Sequence, residues 1–337
     1  MSRMETLRPA ARAADRVLLV GRAQGGHRAE YLSFAKAITG GRHGGWLRAF
    51  VQRGPVLVLM IEDGFLLFLS LCLWRAALGR RTVGFLFRPL PALRGQTLRL
   101  RCKRRMLRGL RRHGNVRCLT LLPRDLMEGG GLIADDGIHD FQLWDRPVAR
   151  PVSHALRDDI RRAARGRMVI AAPGSLNALK GFPEFVTAFR DSPALRGKFL
   201  FAGGGRVAPG LEPMSAVLKS SGGFCLPRHL SEPELAAFHE AADAVWCLYD
   251  AAYDQASGIY GRAVQRGCPV IVRRGSLLHR LAEVEAIPHL ALVPEDLPGL
   301  TTAAIPAPDP DAAVARAARM RHDSLERLDR ALWGAAG

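Results

Sequence analysis

The sequence is poor in cysteine, and the few cysteines it has form no recognisable pattern. There is no Cys-x-x-Cys pair and no histidine at the spacing of a metal ligand. These spacings give no support for a disulfide framework or a structural zinc site. Because several cysteines lie in apolar runs, we expect reduced core residues of a cytosolic protein. They are Cys72, Cys102, Cys118, Cys225, Cys247 and Cys268.

The sequence also lacks an uninterrupted hydrophobic run of the length that crosses a membrane. Residues 1–15 are polar, unlike a secretory signal peptide. The longest apolar tract, 55–74, is broken at its middle by Glu62, Asp63 and Gly64, and adjacent carboxylates are costly in hydrocarbon. The pattern instead predicts a buried strand over 56–61, a turn with two solvated carboxylates and a core helix over 65–78.

Acidic residues are scarce in the first half of the chain. Residues 1–150 contain 27 Lys and Arg against 11 Asp and Glu, whereas the remainder contains 22 against 20. The net charge of +18 therefore lies almost wholly in the first half. Such an asymmetry indicates that the first half faces an anionic partner.

Short apolar runs alternate with helix-length segments along the whole chain. This alternation predicts an α/β protein with doubly wound parallel sheets, whose ligands bind outside the carboxyl ends of the strands. Most of the notable glycines, Lys180 and Ser257 fall at those ends. The runs lie at 16–21, 56–61, 82–87 and 116–122, and then at 168–174, 199–205, 223–227, 244–249 and 269–272.

The order of motifs in the second half resembles a known family. A strand ending in glycine precedes Lys-Gly and a helix, and the next strand ends in three glycines. Ser-Gly then precedes another helix, which Gly-x-Pro-Val-Ile follows. These motifs are Gly174, Lys180-Gly181, Gly203-Gly204-Gly205, Ser257-Gly258 and Gly267 to Ile271. Their order resembles the donor-binding half of GT-B glycosyltransferases, in particular the retaining glycosyltransferase family 4.

This resemblance implies two Rossmann-like doubly wound domains facing a cleft. The acceptor-side domain would cover 1–150, the nucleotide-sugar donor domain 151–310, and a C-terminal helix over 311–337 would pack back on the first domain. The implied reaction transfers a sugar from a nucleoside-diphosphate sugar to an acceptor, such as a glycan, a polysaccharide or a lipid-linked intermediate. It proceeds with retention and needs no cofactor or metal, and the sequence has no Asp-x-Asp motif.

The resemblance also assigns candidate residues. Lys180 and the helix amides after Ser257 would hold the donor diphosphate, since a helix N-terminus binds anions. Asp254 would accept from a sugar or ribose hydroxyl, and His27 would contact the transferred sugar or the acceptor; a loop histidine without a role is the alternative for His27. The implied catalytic residues are His27, Lys180 and Asp254. The implied donor-binding residues are Gly25, Gly26, Gly174, Ser175, Lys180, Gly204, Pro227, Arg228, Asp254, Ser257, Gly258 and Arg262.

Three of these positions depart from the family pattern. Ser175 stands where an arginine is usual, and Asp254 and Arg262 stand where the family has two glutamates eight residues apart. Arginine has five donors and no acceptor, so Arg262 would bind a ribose differently or pair with Asp254. Ser257 is also expected to cap the helix that follows it, and Ser231 and Glu234 form a capping-box pattern.

Residues 94–117 form a basic segment, with ten Lys and Arg and no acid. Its apolar spacing predicts a partly amphipathic helix over 96–112. Such a helix suits an anionic membrane surface, and a helix with a solvated basic face is the alternative. Aromatic residues that would stack on bases are missing from the segment, which disfavours nucleic acid.

Two further functional hypotheses remain open at this stage. Ser175 and Arg262 are also compatible with a glycosyltransferase-like protein that has lost activity and serves as a binding or scaffold partner. A binder of nucleic acid would rest on the charge alone. For the enzyme, the expected location is the cytoplasm, with peripheral attachment to the inner face of the cell membrane through residues 94–117.

Overall fold

The computed structural model describes residues 17–22, 26–145 and 152–334, with the side chains of Gly26 and His27 excepted. The chain divides into two compact units. Unit 1 comprises Met1–Phe141 and Arg319–Gly337, and unit 2 comprises Gln142–Ala318. The predicted domain boundaries at residues 150 and 310 stay predictions.

Unit 1 contains a parallel six-stranded sheet of order β2-β1-β3-β4-β5-β6. The strands are β1 (Leu18–Val20), β2 (Arg42–His43), β3 (Val56–Val58), β4 (Thr82–Leu86), β5 (Val116–Thr120) and β6 (Asp136–Gly137). The helices are α1 (Gly26–Thr39), α2 (Trp46–Val51), α3 (Phe65–Ala77), α4 (Pro89–Arg94) and α5 (Leu98–Leu110). Residues of β1, β3, β5, α3 and α5 share one hydrophobic core.

Unit 2 contains a second parallel sheet of order β12-β11-β10-β7-β8-β9. Its strands are β7 (Met168–Pro173), β8 (Phe199–Gly204), β9 (Phe224–Leu226), β10 (Ala244–Cys247), β11 (Val270–Arg273) and β12 (His289–Leu292). Its helices are α6 (His154–Ala164), α7 (Phe182–Asp191), α8 (Pro193–Lys198), α9 (Glu212–Ser220), α10 (Glu232–Ala241), α11 (Gly258–Gln265) and α12 (Leu277–Val284). A cluster of phenylalanines packs between α7 and β8, where the ring centroids of Phe189 and Phe201 stack 4.9 Å apart.

A long last helix, α13 (Pro310–Trp333), contributes residues to both units. In unit 2, Arg316 donates to the carbonyls of Glu285 and Ala286. In unit 1, Arg327 pairs with Asp136 at 3.0 Å, and Ser324 Oγ accepts from the backbone of His139. Both ends of α13 are therefore held by specific polar contacts.

Two predictions about residues 55–78 need correction. The helix forms as expected, but only one side of it is buried, so it is not a core helix. Glu62 and Asp63 are not solvated: Asp63 pairs with Arg28 at 2.7 Å, and Glu62 accepts from the backbone N–H of Arg88. Each carboxylate also has one buried oxygen without a hydrogen-bond partner. Burial raises the pKa of Glu62.

The cysteines are free, as predicted, and five of the six are buried. Cys102 on α5 is the exception, because it is only partly covered. Within the described residues, no helix combines the length and apolarity that a membrane span needs.

Candidate functional site

The candidate site lies in unit 2, where the strand order of the sheet reverses. The chain runs from β7 to β8 and β9 on one side, and then returns to β10 on the other side of β7. At such a switch point the loops after the two neighbouring strands separate and leave a crevice for a ligand. Here these loops follow Pro173 and Cys247, and they contain Lys180, Tyr249 and Tyr253.

The loop after β7 is shaped by two glycines in the left-handed region. Gly174 has φ of 95°, and Gly181 has φ of 70°. A Cβ at Gly181 would lie 2.3 Å from the carbonyl oxygen of Leu248, so only glycine fits. Between them, the Asn177 side chain accepts from the Lys180 N–H at 3.0 Å and closes a short 3-10 turn. Lys180 thus ends this turn, and α7 begins two residues later at Phe182.

Lys180 is a partly buried cation that lies between two tyrosine rings. Its Nζ lies 5.8 Å from the ring centroid of Tyr249 and 5.9 Å from that of Tyr253, within cation–π range. Among the residues that the structure describes, no carboxylate pairs with it. Burial lowers the pKa of Lys180. An anion placed beside this ammonium would supply the missing counter-charge.

Two small hollows, both open to solvent, share Tyr249 in their linings, and Lys180 lines the first of them. The first, about 260 Å³, is lined by Lys180, Ser175 and Trp246 among others. The second, about 170 Å³, is lined by Tyr253, Asp254 and Arg273 among others. Tyr249 and Tyr253 were not identified from the sequence, although two tyrosines within six residues of the end of an apolar strand were a visible signal.

The beginning of α11 differs from the prediction for Ser257. Ser257 does not cap the helix; its Oγ lies 3.0 Å from the Tyr249 hydroxyl instead. This bond ties α11 to the loop that holds Tyr249. A Cβ at Gly258 would lie 2.3 Å from Oε1 of Gln142, so glycine is needed for the close approach of that side chain.

Arg262 does not pair with Asp254, which was one of the two alternatives that the sequence left open for it. Arg262 forms a two-pronged ion pair with Asp145, at 2.5 and 3.1 Å, and its side chain is 8% exposed. Asp254 accepts from the Leu277 N–H at 2.6 Å and lies 3.8 Å from Arg273. The two residues therefore anchor different segments: Arg262 fixes the chain at Asp145, and Asp254 fixes the start of α12.

The remaining predicted residues of unit 2 lie beside β8 and β9 and have local partners. A Cβ at Gly204 would lie 2.2 Å from the Phe238 ring, so this glycine is required by packing. Pro227 directly follows β9. Arg228 binds Glu234 through both terminal nitrogens, at 3.0 and 2.5 Å, and the capping box of Ser231 and Glu234 is confirmed. These contacts leave the predicted donor roles untested.

The predicted residues of unit 1 are only partly described. Gly25 lies outside the described residues, as does the range 146–151 that contains the predicted boundary between the domains. Gly26 and His27 begin α1, and their side chains are outside the description. Within the described ranges no group of three or more His, Cys, Asp or Glu is arranged to hold a metal ion. Metal independence stays a prediction.

His239 is a further buried residue that sequence reasoning did not identify. It lies on α10 and is 3% exposed, and its ring nitrogens are 2.9 Å from the carbonyl oxygen of Leu235 and 3.3 Å from that of Ile259. Burial lowers the pKa of His239 to about 4, and the charge of Arg266 acts in the same direction. The neutral ring donates to one of the carbonyls, next to the first turn of α11.

Comparison with known proteins identifies the fold. No protein-family model and no curated protein matches the chain. Solved structures do match, among them the E. coli trehalose-6-phosphate protein bound with UDP-2-fluoro glucose, with a TM-score of 0.54, 11% identity and coverage of 92% of this chain and 95% of that one.

Two other solved structures are similar to the same extent. WaaG, a glycosyltransferase involved in lipopolysaccharide biosynthesis, gives a TM-score of 0.53 at 14% identity over 95% of this chain and 100% of its own. The UDP-forming α,α-trehalose-phosphate synthase of Burkholderia vietnamiensis gives a TM-score of 0.52 at 13% identity, over 95% of this chain and 96% of its own. The expected fold class is confirmed: two parallel six-stranded α/β sheets, as in GT-B glycosyltransferases.

Proposed function

We propose that this protein is a glycosyltransferase that takes a sugar from a nucleoside-diphosphate sugar. The observation that carries the proposal is Lys180, an ammonium group at the switch point of the unit 2 sheet that pairs with no carboxylate of the described residues. The donor diphosphate would lie against this cation. When the bond between the sugar and the diphosphate breaks, negative charge grows on the leaving oxygen, and a fixed nearby cation lowers the energy of that state.

The donor we put first is a uridine-diphosphate sugar. Two of the structurally similar proteins are described with UDP, one as bound with UDP-2-fluoro glucose and one as UDP-forming. Tyr249 and Tyr253 would bring rings and hydroxyls to the same hollows, and Ser175 would add a hydroxyl donor beside Lys180. The acceptor is a glycan or a lipid-linked intermediate, and transfer is metal-independent with retention at the anomeric carbon.

The first test is nucleotide binding to the full chain. Thermal-shift and calorimetric titrations with UDP, GDP, ADP, CDP and TDP are expected to give saturable binding of one nucleotide. Lys180→Ala should abolish this binding, because the replaced cation is the only charge we assign to the diphosphate. Lys198→Ala, which removes an exposed lysine at the end of α8, is the matched control and should bind normally.

Turnover is the second test. The protein is incubated with the sugar form of the nucleotide that binds and with glycan and lipid-linked acceptors, with and without a chelator. We expect release of the nucleoside diphosphate that depends on acceptor and on Lys180 but not on divalent metal. The anomeric coupling constant of the product in NMR then reports retention or inversion.

A non-catalytic binding protein is the second candidate. Two observations favour it: Ser175 is exposed and carries no charge, and Arg262 is held by Asp145. A well-folded protein that binds no nucleotide, or binds one without any sugar transfer, would support this candidate against the first.

A further inference from the structure

The helix α3 has an apolar outer face. Its buried side is formed by Phe68, Leu71, Cys72 and Arg75. On the outer side Leu66 is 69% exposed, Leu73 is 49% exposed and Trp74 is 53% exposed. A surface helix normally turns charged residues to water, but the only charge on α3 is Arg75, and it points inward.

The neighbouring helix α2 extends this surface. Leu47 is 88% exposed and Val51 is 71% exposed, and their spacing of four residues places them on one face of α2. The Trp74 indole N–H donates to the carbonyl of Phe50 at 3.2 Å and joins the two helices. We call this surface the apolar face; it consists of Leu47, Val51, Leu66, Leu73 and Trp74.

The buried Arg75 fixes which side of α3 faces outward. Its guanidinium donates to the Thr82 hydroxyl and to four backbone carbonyls, at 2.5 to 3.1 Å. These carbonyls belong to Ala49, Gln52, Gly54 and Arg81. Rotation of α3 to hide its outer face would break all five bonds and leave a buried charge unpaired, which is strongly unfavourable. The exposure of the apolar face is therefore part of the folded structure.

The charge around the apolar face is almost entirely positive. Residues 42–117 contain 17 Lys and Arg but only two acids, Glu62 and Asp63, and both acids are engaged within the unit. The helix α5 packs on α3, and Lys103 lies 5.2 Å from the ring of Phe65. Arg99, Arg101, Arg105 and Arg108 of α5 are exposed. An apolar surface beside such a basic helix is complementary to a partner that presents negatively charged groups over a hydrocarbon layer.

The length of α3 decides how it can meet a membrane. Thirteen residues span about 20 Å at 1.5 Å per residue, less than the roughly 30 Å of a bilayer core. Because α3 is too short to span the bilayer and its inner side is packed in unit 1, its exposed apolar side can meet a membrane only in the plane of the interface.

We propose that unit 1 docks on anionic phospholipid bilayers by inserting the apolar face between the headgroups, with the cations of α5 against the lipid phosphates. This proposal does not depend on the donor site. It assigns the apolar contact to α2 and α3, whereas the sequence pointed only to the basic segment over 94–117.

The test is flotation of the full chain with vesicles. The two vesicle types are phosphatidylcholine alone and an equal mixture of phosphatidylcholine with phosphatidylglycerol. We expect binding to the mixed vesicles and little to the neutral ones. The double variant Leu66→Gln/Leu73→Gln should bind the mixed vesicles roughly tenfold more weakly or worse, because two leucines no longer leave water.

The matched control is Val284→Gln on α12 of unit 2, where Val284 is 66% exposed. This variant should bind the mixed vesicles like the parent protein. Circular dichroism should be unchanged in both variants and unfolding midpoints nearly so, since Leu66 and Val284 are about two thirds exposed and Leu73 is half exposed.

Fluorescence reports insertion directly. Trp74 emission should shift to the blue on binding and be quenched by lipids brominated on their acyl chains, and Trp74→Phe should remove this response. The proposal is overturned if Leu66→Gln/Leu73→Gln binds as well as the parent, which would leave docking to the cations alone. It is equally overturned if the full chain binds neither vesicle type; a dimer in light scattering that this variant dissociates would then assign the apolar face to a second copy of the chain.

Discussion

Lys180, the residue to which we assign the donor diphosphate, is expected to lower the stability of the nucleotide-free protein. Its pKa is lowered by burial, so at neutral pH the charged ammonium is less favourable in the folded protein than in the unfolded chain. We expect Lys180→Met to raise the unfolding midpoint of the nucleotide-free protein by a few degrees and to abolish nucleotide binding. Differential scanning fluorimetry with and without nucleotide measures both effects. Lys198→Met should change neither, and a lower midpoint in Lys180→Met would indicate a packing role.

His239 should make the protein sensitive to acid. Its pKa is about 4 in the folded state against 6.5 for an ordinary histidine, so the unfolded chain binds a proton more readily. The contribution of the neutral His239 ring to the unfolding free energy is fully present above the ordinary histidine pKa, and it is lost as the pH falls towards 4. This contribution amounts to about 3 kcal/mol in total. Urea unfolding at a series of pH values measures it.

Two variants isolate the contribution of His239. His239→Gln should flatten the decline of unfolding free energy with acid, because the uncharged amide does not titrate. His322→Gln, which removes an exposed histidine of α13, should leave the decline unchanged. An equal decline in His239→Gln would assign the acid sensitivity to other groups.

At the scale of elements, the Arg262–Asp145 pair joins α11 to the segment that begins unit 2. Removing only Asp145 leaves a buried guanidinium without its carboxylate, so Asp145→Ala should lower the unfolding free energy by about 3 kcal/mol. The double variant Asp145→Ala/Arg262→Met should lower it by about 2 kcal/mol less than the sum of the losses in Asp145→Ala and Arg262→Met. Denaturant unfolding of the four proteins gives this coupling. The exposed Asp159–Arg162 pair is the control, with a coupling below about 0.5 kcal/mol; equal couplings would contradict the burial argument.

The contact between the ends of β7 and β8 depends on Gly205. Its φ is 147°, and a Cβ there would lie 1.4 Å from the carbonyl oxygen of Gly174. Gly205→Ala should therefore lower the unfolding free energy by about 3 kcal/mol or more, through strain and a backbone clash. Gly210→Ala has positive φ but no neighbour within 4 Å, so it should cost only about 1 kcal/mol. Equal losses in the two variants, measured by urea unfolding, would show that the close approach to Gly174 is unimportant.

At the scale of the whole molecule, the distribution of charge should govern association with membranes. The net charge of +18 lies almost wholly in the first 150 residues, and salt screens such charges over about 10 Å at 0.1 M. Binding to anionic vesicles should weaken with added salt and level off, because the apolar contribution is insensitive to screening. In the variant Leu66→Gln/Leu73→Gln, binding to anionic vesicles should instead fall to zero at high salt. Flotation over a salt series tests this, and parallel curves for both proteins would contradict it.

The fold class could be predicted from the sequence because the apolar runs are separated by helix-length segments and punctuated by glycines. Parallel sheets buried on both faces need such runs, so the strands at Val56, Thr82, Val116 and Phe199 are recognisable from residue pattern alone. The capping box at Ser231 is equally recognisable, since its two side chains bond within four residues.

Contacts between distant parts of the chain could not be predicted in the same way. Arg262 and Asp145 are 117 residues apart, and spacing alone suggested the nearer Asp254. Ser257 has the residue type of a helix cap, but Tyr249 competes for its hydroxyl. Which side of α3 faces outward could not be predicted either. A helix that is apolar all round is typical of a protein core, and only the hydrogen bonds of the buried Arg75 show which side faces solvent.

The five hydrogen bonds of Arg75 have a practical consequence for purification of the protein. Because they keep the leucines and the tryptophan of the apolar face exposed to water, part of the protein in a lysate should sediment with the membrane fraction. High salt alone should release it incompletely, and a mild non-ionic detergent should complete the extraction. In detergent-free buffer, concentrated samples should self-associate through the same surface, so that Leu66→Gln/Leu73→Gln would be the preferred protein for crystallisation.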